Sequence, residues 1–154
     1  MTQTEYGAHQ LSRAECLALL PMAPFGRLVF TEGALPAIIP VNFVLDPDGI
    51  ILRTREGGSV AAAGGAVVAF QADDIDAERR SGWSVTVIGR ATVVRQPMEV
   101  ERLSTLPLLP WVGGERHTFV AVSIDIVAGL RLGGPEPAHT AAPAFSRGAA
   151  VRAS

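Results

Sequence analysis

Cysteine is almost absent from this chain. Cys16 is the only one, which excludes an intrachain disulfide and any zinc site built from several thiolates. An excess of charge is missing too: the net charge is −2, and the basic residues are scattered rather than clustered. Nucleic acid and anionic membrane therefore have no electrostatic footprint to bind. Apolar runs are all too short to span a bilayer. The opening MTQTEYGAHQ lacks the basic-then-apolar order of a secretory leader. These absences predict a soluble, cytoplasmic protein. What is present supports a packed fold: 48% of residues are apolar and 18% charged, which excludes global disorder. A length of 154 residues predicts one domain.

Pattern along the chain points to β structure with a few short helices. LSRAECLALLP reads as a capping box, with Ser12 as N-cap and Glu15 three residues on; Leu11 can staple onto Cys16 and Pro21 discourages continuation. Strands are expected over 26–31, 36–45, 50–55, 66–72, 83–94 and 117–127. Pro40 places its strand at an edge or bulge, and the DPDG turn makes the second and third strands a hairpin. Ser59 is expected to cap a short helix that Gly64 and Gly65 end, and Pro97 to open another. Asp73, Asp74, Asp76 and Glu78 are assigned to a turn, and residues 133–154, rich in Gly, Pro, Ala and Ser, to a disordered tail. Six strands with short turns predict an antiparallel barrel plugged by helices, with a β-sandwich as the alternative.

Few residues carry obvious chemistry. In the fifth strand Trp83, Val85, Val87, Gly89 and Ala91 face one way, and Ser84, Thr86, Ile88, Arg90 and Thr92 the other. The second face is either solvent-facing or the wall of a polar ligand or partner site. Arg53 and Arg55 project to one side of the third strand and Thr54 to the other. Beyond them lies GGS with Ser59, a small-residue turn that suits a phosphate or is a solvated loop. The P-loop ending and the G-x-S-x-G elbow are both missing, and the three histidines have no ligand spacing. Hard chemistry must therefore come from a bound cofactor.

The order LSRAECLALL, GRLVF, GALPAIIPVNFVL, GIILRT, GGSVAAA, AVVAFQADDID, RRSGWSVTVIGRATVV resembles the pyridoxamine 5′-phosphate oxidase-like family over residues 10–132. The resemblance implies a split β-barrel of the FMN-binding type, paired as a homodimer, with flavin mononucleotide (FMN) in two clefts at the interface. It implies that Val41 and Asn42 meet the flavin ring with backbone groups. It places Arg53, Thr54 and Ser59 at the phosphate, with Arg55 as a supporting cation, and Trp83 and Ser84 near the cofactor. One departure stands out: where many relatives carry a lysine in the phosphate segment, this chain has Val60. Arg53 or Arg55 then has to compensate, or the protein prefers the deazaflavin F420, binds flavin weakly or has lost the cofactor. Vitamin B6 oxidation itself does not transfer, because no counterpart of the substrate-phosphate contacts is found.

Two functions follow from this reading. One is a flavin-dependent oxidoreductase acting on a small organic substrate. The other is a dimeric module that stores or carries FMN, F420 or haem without turnover.

Overall fold

The computed structural model describes residues 8–47, 49–109 and 117–133. The expected tail beyond Gly133, Asp48 of the DPDG turn and most of the proline-broken loop after Leu109 lie outside the described residues. Each predicted strand is present, and the architecture is the predicted mainly-β antiparallel split barrel. Its strands are β1 (His9–Leu11), β2 (Gly26–Glu32), β3 (Leu35–Val41), β4 (Phe43–Asp46), β5 (Gly49–Arg55), β6 (Val67–Asp76), β7 (Ser81–Val94), β8 (His117–Val122) and β9 (Ile126–Leu132). The helices are α1 (Arg13–Leu19), α2 (Ser59–Ala62) and α3 (Pro97–Ser104).

The sheet runs β3-β2-β6-β7-β8-β5-β4, and β9 joins both β7 and β1. Its two end strands, β3 and β4, follow one another in the chain with only Asn42 between them. The barrel is thus closed there by the covalent chain rather than by ladder hydrogen bonds, which is the split. Pro40 sits on the edge strand β3, as its missing N–H requires. The long strand β7 organises the rest. One side pairs with β6 along Ser81–Arg90, and the other pairs with β9 over Gly82–Ile88 and then with β8 over Ala91–Val94.

Two of the expected strands are broken in two. The 36–45 run divides at Asn42 because β3 pairs with β2 and β4 with β5, in different halves of the barrel. The 117–127 run divides at residues 123–125, where the chain turns the corner from β8 to β9. There the Ser123 amide donates to the Arg90 carbonyl at 3.1 Å, and the Arg90 amide donates to Ser123 Oγ at 2.9 Å. Gly89 makes room for this corner: a Cβ at that position would overlap the Ser123 carbonyl. The acid cluster also moves. Asp73, Asp74 and Asp76 lie on β6, not in a turn, because residues 73–76 pair with 81–84.

Alternation along the strands builds the core. Leu28, Phe30, Leu52, Phe70, Val85, Val87 and Val120 point inward, with Cys16 and Leu20 plugging one opening and Val60 of α2 also in the cluster. The capping box at Ser12 is present, with Ser12 Oγ accepting from the Glu15 amide at 3.2 Å and Glu15 Oε1 accepting from the Ser12 amide at 2.9 Å. These bonds hold the Glu15 carboxyl below its ordinary value, while burial pushes the Cys16 thiol up. Outside the barrel, α3 packs Leu103 against Ile51 of β5 and Phe119 of β8, with Leu108 in the same cluster. Among the described residues no helix is long and apolar enough to cross a membrane.

Candidate functional site

The end of β5 collects the chain's best-placed donors. Ile51 and Arg53 share the outward face of this strand, so Arg53 projects beside the α3 cluster rather than into the barrel. Its guanidinium lies over the Phe119 ring, 5.4 Å from the centroid, and its NH1 donates to the Leu108 carbonyl at 3.2 Å. Its Nε is buried without a partner. Asn42 stands one residue beyond the Phe43–Leu52 pair and hence opposite Arg53 across the β4–β5 hairpin. The Asn42 side-chain amide donates to the Leu109 carbonyl at 2.9 Å. Asn42 and Arg53, facing each other across the hairpin, therefore meet on two consecutive carbonyls. Val41 is half-buried against the barrel core next to them.

Just past Arg53 the chain makes a tight turn. Gly57 adopts φ +76°, a conformation that strains any residue with a Cβ, and the Gly58 amide closes onto the Arg55 carbonyl at 3.1 Å. Thr54 Oγ1 lies beside Gly58, and Arg55 and Ser59 are exposed. Ser59 does not cap α2. The N-cap is Gly58, and Ser59 is the first helical residue with its side chain unused by the helix. A single turn of helix also has a small dipole, so α2 by itself makes no anion site. Val60 is 3% exposed and packs into the barrel core. The position at which the family resemblance implies a lysine is thus a packing position here.

Trp83 and Ser84 part company on β7. Trp83 points into the barrel and is 5% exposed. Ser84 points outward and its Oγ accepts from Gln71 Nε2 at 3.1 Å. Gln71 Nε2 also donates to Asp73 Oδ2 at 2.7 Å, and Arg27 NH1 donates to Gln71 Oε1 at 3.2 Å and lies 3.5 Å from Asp73 Oδ2. No hydrogen bond, ion pair or ring contact among the described residues joins Trp83 or Ser84 to the Arg53 group. Arg27 and Gln71 went unnoticed in the sequence, and Asp73 was read only as part of an acidic turn. Their signal was available in the outward alternation of β2 and β6, but it needs the strand register to unite them.

The fold and the family resemblance agree with comparisons to known proteins. The model of the pyridoxamine 5′-phosphate oxidase family matches residues 12–131. The chain belongs to that family. Rv0080 of Mycobacterium tuberculosis is 45% identical over 129 residues, which is 80% of this chain and 84% of that protein. The solved structure of an FAD binding protein from Mycobacterium smegmatis is 34% identical with a TM-score of 0.72, covering 82% of this chain and all (100%) of that one. An FAD and haem binding protein from the same organism shares the fold at 19% identity, with a TM-score of 0.66 over 90% of this chain and 80% of its own.

One compositional fact bears on how this chain can hold an anion. All thirteen Lys+Arg residues are arginine. No side-chain amine can form a Schiff base, so a pyridoxal aldehyde cannot be held covalently by a lysine of this chain. Arginine instead offers a planar, permanently charged fork suited to phosphate.

Proposed function

We propose that this protein is a dimeric flavin-binding protein acting as an oxidoreductase on a small organic substrate. The observation that carries the reading is Arg53. It is a half-buried cation on an otherwise apolar outer cluster, with its guanidinium over the Phe119 ring and NH1 on the Leu108 carbonyl. Such a group suits a phosphate oxygen, and Arg55 on the same face of β5 and the exposed Ser59 are proposed as further donors. FMN and FAD both carry an isoalloxazine ring and a phosphate. The FAD-binding relative at 34% identity supports the class and leaves the choice between the two to measurement. When bound, the flavin supplies hydride transfer. The chain's own part is to grip the phosphate through Arg53, to present backbone groups of Val41 and Asn42 to the ring, and to exclude water.

A second copy of the chain is the proposed partner. The outward face of β3, β2, β6, β7 and β9 aligns Ile38, Val29, Ala69, Ile88 and Ile126 in one continuous row. Ile38 and Ile126 are 63% and 59% exposed. The next row carries Pro40, Arg27, Gln71, Thr86 and Ala128. An apolar band beside the Arg27–Asp73 pair is self-complementary, as a two-fold interface requires.

A carrier role is the second reading, favoured by the burial of Val60 in place of a cation. The visible spectrum separates the two after reconstitution with FMN or FAD. A flavin band that bleaches with a nicotinamide donor and returns with an acceptor establishes the oxidoreductase. A band that resists reduction establishes the carrier. Bands of F420 or haem instead, or none, overturn the flavin assignment.

A further inference from the structure

The α3 helix has no chemistry of its own, yet its C-terminal end is tied down. Near its C-terminal end Arg102 forms a double fork. NH1 and NH2 reach the Asp46 carboxylate at 2.9 and 3.0 Å, and Nε and NH2 reach Glu99 at 2.8 and 2.9 Å. The Asp46 side chain is only 5% exposed, so this clamp is anchored in the β4–β5 hairpin. The chain leaving α3 is ordered by the Thr105 and Leu106 amides, which donate to the Arg102 and Leu103 carbonyls at 3.2 and 3.1 Å. The Leu108 amide then donates to the Leu106 carbonyl at 2.8 Å, and the Leu108 side chain is buried with Leu103. That exit presents the carbonyls of Leu108 and Leu109 to Arg53 and Asn42 at the opposite end of the hairpin.

We infer that Arg102 is a positioning residue for the anion site, acting through α3 and the Leu108 carbonyl to orient the Arg53 guanidinium toward a ligand phosphate. The inference rests on the phosphate role proposed for Arg53. The Leu108 bond uses one of the guanidinium's five donors and fixes the plane of the others. A preorganised fork loses less side-chain freedom on binding than a free one. Loosening the clamp frees the helix exit to shift, and Arg53 then loses the carbonyl that fixes its NH1 and is left resting on the Phe119 ring alone.

The test compares FMN with riboflavin, which has the same ring and no phosphate. Affinities for both are measured by flavin fluorescence quenching, and the readout is the ratio of the riboflavin Kd to the FMN Kd. A general loss of structure weakens both ligands together and leaves the ratio alone. Arg53→Ala is expected to bring the ratio close to one. Arg102→Met is expected to lower it about tenfold, and Arg102→Lys, which keeps the charge but not the fork, to restore part of it. Should Arg102→Met fail to fold, Glu99→Gln removes one arm of the clamp and is expected to lower the ratio about threefold. A ratio unchanged in the clamp variants while Arg53→Ala abolishes it overturns the positioning role alone. A ratio unchanged in Arg53→Ala overturns the phosphate assignment and this inference with it.

Discussion

Gly89 shows how a single residue without a side chain can decide the path of the chain. It lies mid-strand in β7, where a glycine ordinarily weakens a sheet. Its value here is space, because the Ser123 carbonyl occupies the position a Cβ would take. Gly89→Ala is therefore expected to destabilise the fold by about 1–3 kcal/mol, the usual cost of overpacking. Urea unfolding checks this, and a change within about 0.5 kcal/mol would mean that the corner yields freely. Arg53 and Asn42 make the complementary point. Both side chains were legible as candidates, but their shared partners are backbone carbonyls, which have no signature in a sequence.

Among the elements, α1 and α3 differ in what holds them. The α1 helix carries its own start signal, the Ser12–Glu15 capping box, and was readable for that reason. Gln96 at the N-cap of α3 makes no side-chain cap bond, and this helix depends on a buried face and on the Arg102 clamp. Hydrogen bonding from Arg102 holds the Glu99 carboxyl below its ordinary 4.5. A carboxyl lowered in the folded state stabilises it above the unfolded value, and that contribution fades as pH falls through the lower folded value. The stability difference between wild type and Glu99→Gln should therefore be constant above pH 4.5 and shrink toward zero on acidification. Thermal melts across that range measure it. Because Glu99 is exposed, added salt should reduce the difference as well.

At the scale of the molecule, the outward row across five strands carries the proposed dimer interface. Isoleucines at 38, 88 and 126 align through register alone, on segments widely separated in the chain. Burying a large charge there is costly, so Ile88→Glu is expected to convert a dimer to a monomer, read by light scattering across a dilution series. If the protein docks through this face, flavin binding should weaken in the same variant, because the expected clefts lie between the subunits. A dimer that persists unchanged would place the interface elsewhere.

Local patterns settled much of this protein. Strict alternation in β7 identified its core face, the capping box set the start of α1, and the ordered series of motifs pointed to the split barrel. Each of these signals lies within a few neighbouring residues, where propensity, periodicity and capping act. Tertiary structure alone decided where continuous apolar runs divide at Asn42 and at residues 123–125, and why Asp73, Asp74 and Asp76 extend a strand. It also decided that Val60 fills a core and that α3 reaches Arg53. These outcomes depend on which distant strand supplies the partner hydrogen bonds, and pairing between remote segments leaves no mark on either segment by itself.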